Sequence, residues 1–187
     1  MKTFLSDLKA DIKYFDIYRL SSNKKFAEHM CKYYDECHKN AKTMVFLCIG
    51  SDRATGDCLG PLIGNIISKS ASDIIVYGTL KSPVHAKNLE NTIYHIYHTI
   101  DNPYVIAIDA SLGIKQHIGQ VTLGRGTLTP GIGVNKSLPA VGDAFITGIV
   151  NISDANSHIN LQTTRLSTVV DLAEFIAYGI LRVHKNF

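Results

Sequence analysis

Cysteine motifs that would indicate a metal or disulfide scaffold are missing from this chain. Its four cysteines form no CxxC pair, and Cys48 lies inside an apolar run, where a cysteine usually serves as a small buried hydrophobe. A structural zinc site or a disulfide framework is therefore not indicated. This use of cysteine is typical of a reducing compartment, so we expect a cytoplasmic protein.

Long hydrophobic runs and strong net charge are also lacking. No stretch approaches the roughly 20 apolar residues that cross a bilayer, and Asp7 and Asp11 interrupt the N-terminal segment where a signal peptide needs an apolar core. The formal net charge is only +3, which gives no concentrated basic stripe for nucleic acid. We therefore expect neither membrane nor nucleic-acid binding.

The N-terminal part of the chain differs in composition from the rest. Residues 1–42 contain no glycine, and apolar side chains recur at helical spacing between Asn23 and Lys39. We divide the chain into an N-terminal helical extension, residues 1–42, and an α/β domain, residues 43–187. The helix either covers the core of that domain or contacts a partner, such as a second copy in a homodimer.

Short apolar runs alternate with segments of helical periodicity from Thr43 onward. The runs predict strands at 44–49, 74–77, 104–108, 120–123 and 145–151. The helical pattern predicts helices from Gly60-Pro61, over 83–98 and over 163–184. This alternation predicts a three-layer α/β/α fold with a largely parallel, mixed sheet.

Two aspartates follow central strands of this sheet. Asp57 lies in GSDRATGDCLGP, directly after the strand at 44–49, and Asp109 closes the run VIAI. Because α/β folds bind ligands at the carboxyl ends of their strands, the two carboxyl groups could share one crevice. There one could act as base and the other as acid in amide hydrolysis. Alternatively, Asp57 could cap the next helix and Asp109 could form a turn.

His85 follows the second strand and could face the same crevice. We expect no cofactor, but Asp57, Asp109 and His85 together could instead hold a divalent metal.

A glycine-rich loop, TPGIGVNK at 129–136, precedes the last strand. Gly131 and Gly133 would let backbone amides approach a bound chain. Asn135 and Lys136 could hold a substrate carbonyl or balance the acid pair. A plain surface loop is the alternative.

Other catalytic motifs are absent from the sequence. The glycine-rich stretch after the first strand places Asp57 where a P-loop has lysine, and no GxGxxG fingerprint occurs. There is no GxSxG elbow, and no cysteine lies in an evident activating context. Nucleotide binding and serine or cysteine hydrolysis are thus disfavoured.

Four segments together resemble the YyaC family of sporulation proteins from spore-forming Firmicutes: VFLCIGSDRATGDCLGPLIG, GTLKSPVHAKNLE, VIAIDASLG and TPGIGVNKSLPAVGDAFITGIVN. More distantly, they are similar to the germination protease that degrades small acid-soluble spore proteins and to the hydrogenase maturation endopeptidases. The resemblance implies a phosphorylase/hydrolase-like fold of the hydrogenase maturation peptidase type. It also implies an acid pair at Asp57 and Asp109, in the cytoplasm of a forespore or mother cell.

The chain departs from these distant families at two points. The loop PGIGVNK lacks one glycine of the germination protease loop PGSGVGNK, between Val134 and Asn135. The metal-binding histidine of the maturation enzymes has no clear counterpart, which puts nickel recognition in doubt.

The two carboxyl groups at strand ends, together with this resemblance, imply a peptidase-like sporulation protein that acts on a peptide or protein. Asp57 and Asp109 are the predicted catalytic residues, and the predicted substrate-binding residues are His85, Gly131, Gly133, Asn135 and Lys136. The alternatives are an inactive peptide- or partner-binding module of the same fold and a metal-dependent hydrolase.

Overall fold

Apolar runs rich in β-branched residues form the centre of a mixed sheet in the computed structural model, which describes residues 12–131 and 138–187. The strands are β1 (Lys13–Asp16), β2 (Thr43–Cys48), β3 (Ile75–Tyr77), β4 (Pro103–Gly113), β5 (Gln120–Arg125) and β6 (Ala144–Ile152). The helices are α1 (Ser22–Lys39), α2 (Leu59–Ser70), α3 (Leu89–Thr99), α4 (Ser157–Gln162) and α5 (Leu166–His184). Among the described helices, none has the length and apolar character needed to span a membrane.

The order of the strands places a crevice at the middle of the sheet. Neighbouring strands follow the order β1-β5-β6-β4-β2-β3, in which β6, β4, β2 and β3 are parallel and the other two pairings are antiparallel. The chain goes from β2 to β3 on one side and then returns to β4 on the other side of β2. Such a reversal opens a crevice at the carboxyl ends of the two strands, where α/β proteins bind ligands.

Alternate residues of the central strands pack into two separate hydrophobic cores, one on each face of the sheet. On β2, Phe46 and Cys48 belong to the larger core, which α1, α2 and α5 cover, whereas Val45 and Leu47 belong to a smaller core beneath α3. The sheet therefore lies between two helical layers, and the predicted three-layer α/β fold is confirmed.

The N-terminal segment contributes a strand that the sequence analysis did not predict. Strand β1 pairs with β5 at the edge of the sheet, and the predicted helix follows as α1. Phe15 of β1 meets Phe26 of α1 edge-to-face, with ring centroids 5.4 Å apart, and both side chains are buried in the larger core.

Three predicted element bounds were wrong for identifiable reasons. The helix predicted from Pro83 begins at Leu89, because the Asn88 side chain accepts from the His85 N–H at 2.8 Å and donates to the Pro83 carbonyl at 3.0 Å, which fixes a loop. Strand β4 continues beyond Ile108 to Gly113, because β6 still pairs with it. The final helix begins at Leu166, and the separate helix α4 precedes it.

Candidate active site

A cleft of about 300 Å³ opens at the carboxyl ends of the parallel strands. Its walls come from the loops that follow β2 and β3, from β4, from the segment after β5, and from α4. Four of the predicted site residues lie in the described part of the chain. All four line this cleft: Asp57, His85, Asp109 and Gly131.

Asp109 lies where β4 extends past the end of β2. The last paired residues of β2 and β4 are Cys48 and Ile108, so Asp109 is the first residue of β4 beyond this neighbour. Its side chain is only 8% exposed, and its Oδ1 accepts a hydrogen bond from the Ala110 N–H at 2.8 Å. Asp109 therefore lies within a strand rather than in the turn considered above.

Burial raises the pKa of Asp109 well above the usual range of an aspartic acid. The negative charge of Asp57 raises this pKa further, and the hydrogen bond from Ala110 acts in the opposite direction. The carboxyl group of Asp109 is consequently held toward its protonated, neutral form.

The loop after β2 brings Asp57 to the cleft. A hydrogen bond from the Ser51 N–H to the Asp57 carbonyl oxygen, at 3.1 Å, joins the two ends of this loop. Gly50 has a φ of 143°, and a Cβ atom there would collide with the same carbonyl oxygen, so a side chain at this position would open the loop. Asp57 then lies in a short 3-10 turn, Gly56–Cys58, and is half-buried.

The N-cap residue of α2 is Cys58, and its own side chain makes no capping hydrogen bond. The capping role considered for Asp57 stays a prediction. The Cys58 thiol donates to the Thr55 carbonyl at 2.9 Å, and burial together with the charge of Asp57 raises its pKa. This thiol is thus held protonated and is poorly suited to act as a nucleophile.

His85 is presented by the rigid loop between β3 and α3. Val84 forms a bridge to Ile49, and Asn88 binds the backbone on both sides of Val84. The Lys87 N–H donates to Nδ1 of the His85 ring at 3.3 Å, so a neutral ring carries its proton on Nε2. The imidazole can then offer Nε2–H as a donor to a bound ligand.

The glycine-rich loop reaches the cleft at both of its described ends. Pro130 and Gly131, at the start of the loop, line the cleft, and so does Leu138, which follows the loop. Gly133, Asn135 and Lys136 lie outside the described residues, so their part in the site stays a prediction.

Helix α4 forms a wall of the cleft that the sequence analysis missed. His158, Leu161 and Gln162 line the cleft from this helix. Asn160 anchors the helix, because its side chain donates to the Ile152 carbonyl at 3.2 Å and to Asp154 Oδ1 at 2.8 Å. The polar stretch SDANSHIN, directly after the parallel strand β6, was the signal that could have revealed this wall.

Helix α4 also rests directly on the loop that carries Asp57. A Cβ atom added to Gly56 would lie 2.7 Å from the Leu161 carbonyl oxygen and 2.8 Å from its Cδ1 atom. The absence of a side chain at Gly56 therefore permits this close approach and fixes the wall next to the acid pair.

Arg53 and Lys87 are two further lining residues that the sequence analysis did not identify. Both are exposed side chains, from the loops after β2 and β3 respectively. Within the described ranges, no three His, Cys, Asp or Glu side chains are grouped so that they could hold a metal ion. The described lining therefore combines two carboxyl groups, of which Asp109 is held toward its protonated form, with two imidazoles and two cations.

Comparisons with known proteins agree with this architecture. The solved structure of a NiFe hydrogenase maturation protease, HycI from Thermococcus kodakarensis KOD1, superposes with a TM-score of 0.53 over 78% of this chain and 94% of that chain. At 18% identity, this similarity shows the shared fold.

Sequence comparison gives the family. An uncharacterized protein, YyaC from Bacillus subtilis (strain 168), is 46% identical over 140 residues, which cover 74% of this chain and 68% of that protein. The model of the family described as "Protein of unknown function (DUF1256)" matches residues 16–179. The chain therefore belongs to the DUF1256 family.

Proposed function

We propose that this protein is a peptidase in which Asp57 and Asp109 activate water for hydrolysis of a peptide bond. The observation that supports this most directly is the state of Asp109, whose pKa is raised by burial and by the charge of Asp57 in a shared cleft. A carboxyl group that is held toward its protonated form can act as general acid beside a second carboxyl group that acts as general base.

In this mechanism, Asp57 is the base and Asp109 is the acid. Water attacks the carbonyl carbon of the substrate and gives a proton to the Asp57 carboxylate, and a tetrahedral intermediate forms. Asp109 gives its proton to the amide nitrogen, the C–N bond breaks, and the amine leaves. Return of the proton from Asp57 to Asp109 restores the enzyme, so the net reaction adds one water across the peptide bond.

Other lining residues orient the substrate in this proposal. The Nε2–H of His85 and the backbone N–H of Gly131 would donate hydrogen bonds to a peptide bound in the cleft that both residues line. Gly133, Asn135 and Lys136 would extend these contacts. The chain would act on a protein or peptide in the cytoplasm of a sporulating cell, in the forespore or the mother cell.

The test is a cleavage assay with three aspartate variants. Wild-type protein, the double variant Asp57→Asn/Asp109→Asn and the control Asp52→Asn are incubated with extract from sporulating cells, and new peptide termini are identified by mass spectrometry. Asp52 is exposed, lies in the same loop and does not line the cleft. We expect the same new termini from wild type and Asp52→Asn, and none from the double variant.

Kinetics on a peptide made from an identified cleavage site then test the division of roles. Each single variant, Asp57→Asn and Asp109→Asn, should lower kcat by about 10²–10⁴-fold. The double variant should be no worse than the poorer single one, because the two groups act as a unit. Activity should fall as rising pH removes the proton from Asp109.

Two outcomes would replace the proposal by its alternatives. Identical termini from wild type and the double variant would indicate a module that binds a peptide or partner without cutting it. Cleavage that a chelator abolishes and that returns with a divalent ion would indicate the metal-dependent hydrolase.

A further inference from the structure

A second groove, of about 380 Å³, lies between β1 and the start of α1. None of the described residues lines both this groove and the cleft, and β1 is three strands away from β4 in the sheet. One acidic side chain, Asp16, lines the groove together with four basic ones, Lys13, Arg19, Lys25 and His29. The groove is therefore a separate site with an excess of basic groups.

The amino end of α1 forms part of this groove through Ser21 and Ser22. The first N–H groups of a helix have no partners within it, and they form the positive end of its dipole. Ser21, the N-cap residue, makes no side-chain capping hydrogen bond, and the first turn of this 18-residue helix contains no acidic residue. No carboxylate in that turn therefore balances the positive end of the dipole.

The Ser22 hydroxyl is a second and independent feature of the groove. Ser22 is only 6% exposed and lines the groove, and its side chain forms no hydrogen bond with any described residue. Its hydroxyl is nevertheless not among the unpartnered polar atoms that the described structure encloses completely. The small exposed part of Ser22 thus includes its hydroxyl, which can bind a ligand in the groove that this residue lines.

Two exposed cations flank Ser22. Lys25 lies one turn further along α1 and forms no ion pair with a residue of the described ranges. Arg19 contacts Asp16 Oδ2 through its Nε at 3.2 Å, so its two terminal nitrogens remain for a ligand. The pairing also engages the carboxylate of Asp16, which would otherwise repel an anion.

We propose that this groove binds a phosphate group, either as the free ion or as the monoester of a small molecule. The Ser22 hydroxyl and the N–H groups at the start of α1 contact the phosphate oxygens, and Lys25 and Arg19 balance the charge. A phosphate monoester carries a charge of about −1.5 to −2 and three acceptor oxygens, so it matches this set of donors better than a carboxylate does. The rest of an ester would lie along β1 beside the half-exposed ring of Tyr14. This site does not depend on the proposed peptidase function.

An NMR titration with three defined probes tests the site. Phenyl phosphate, inorganic phosphate and benzoate are added separately to the ¹⁵N-labelled full-length protein at low salt, and the amide shifts give each Kd. We expect phenyl phosphate to shift the amides from Ser21 to Lys25 and to bind about tenfold more tightly than benzoate. Tighter binding of phenyl phosphate than of inorganic phosphate supports an ester as the ligand, and equal binding supports the free ion.

Two variants and a matched control assign the binding to named groups. Ser22→Ala should weaken phenyl phosphate about tenfold, as for a hydrogen bond to a charged group. Lys25→Gln should weaken it about fivefold, as for an exposed ion pair. Lys39→Gln makes the same charge change at the other end of α1, on an exposed side chain outside the groove, and should bind as wild type does. The spectrum of each variant shows whether the fold is kept, and Lys25→Gln with Lys25→Glu decides if Ser22→Ala does not fold.

Three results would overturn the inference. The first is that phenyl phosphate shifts the amides of Gly50 and Gly131, which line the cleft, and leaves those of α1 unchanged. The second is that benzoate binds as tightly as phenyl phosphate, which would indicate attraction of any anion. The third is that the Ser22 and Lys25 variants bind phenyl phosphate as tightly as Lys39→Gln does.

Discussion

The negative charge of Asp57 adds to the effect of burial in raising the pKa of Asp109. An unfolded chain would have this carboxyl group near its ordinary pKa of about 3.9. At pH values between this ordinary pKa and the raised pKa of the folded protein, Asp109 keeps its proton in the folded state and has lost it in the unfolded state. The free energy of unfolding therefore decreases as pH rises through this interval. The raised pKa that would suit Asp109 for acid catalysis thus lowers the free energy of unfolding at neutral pH.

We predict that Asp109→Asn stabilises the protein at neutral pH. Asparagine has nearly the same shape, its oxygen can still accept from the Ala110 N–H, and it carries no charge to desolvate. The free energy of unfolding should rise by about 1 kcal/mol at neutral pH, and the gain should vanish near pH 4. Urea unfolding at several pH values measures this change.

Asp101→Asn is the control for this prediction, because Asp101 is exposed and does not line the cleft. Its stability should follow that of wild type at every pH. A loss of stability in Asp109→Asn at neutral pH would show that Asp109 is ionised and well paired in the folded state, and would contradict its role as the acid.

A second prediction concerns the contact between Gly56 and Leu161. Gly56→Ala places a methyl group against the Leu161 carbonyl, so α4 must move away from the Asp57 loop. We expect a loss of about tenfold or more in kcat/KM on the identified peptide, since small misplacements of site residues are costly. Steady-state kinetics and thermal unfolding should be measured together.

Gly126→Ala separates this effect from general destabilisation. Gly126 has a φ of 96° with open space around it, so alanine there strains the backbone without displacing a neighbour. Both variants should lose stability, but only Gly56→Ala should lose activity beyond that. Equal activity in the two would mean that α4 does not shape the site.

A third prediction concerns the ion pair that joins α1 to the sheet. Arg125 of β5 contacts Glu36 of α1 at 2.5 Å, and its guanidinium lies over the Tyr33 ring, 5.3 Å from the ring centroid. Because Arg125 is largely exposed, we expect Arg125→Met to cost only about 1 kcal/mol. Arg125 pairs with Ala144 at the amino end of β6, far from the cleft, so peptide binding should be unchanged.

A double-mutant cycle with Glu36→Gln isolates the energy of this pair from the loss of packing. Arg19→Met is the control, because Arg19 pairs with Asp16 on the surface with 78% of its side chain exposed. No destabilisation in Arg125→Met would indicate that the apolar contacts of α1 suffice to hold it.

Sequence reasoning reached the central features of the fold because they depend on local patterns. The run MVFLCI is typical of a strand buried on both faces, and Asp57 and Asp109 follow such runs. Topology then brings both to one cleft, together with His85 and Gly131. The periodicity around Phe26 likewise predicted α1.

The parts that were missed depend on contacts between distant segments. Strand β1 is four residues long and is a strand because β5 pairs with it, which its own sequence does not encode. Helix α4 is anchored by the hydrogen bond of the Asn160 side chain, and its Leu161 packs closely on Gly56, which has no side chain. Both contacts join segments that come together only when the chain folds. Arg53 and Lys87 resemble any other surface cation until the loops are placed side by side.

The packing of Phe26 determines how far the chain can be trimmed. This fully buried ring meets Phe15 on one side and Phe175 of α5 on the other, at centroid distances of 5.4 and 5.5 Å. A recombinant fragment that begins at Thr43 would leave the apolar face of α5 open to water, and such fragments self-associate. We expect limited proteolysis to spare α1, and expression of the fragment to yield aggregates instead of a smaller soluble protein.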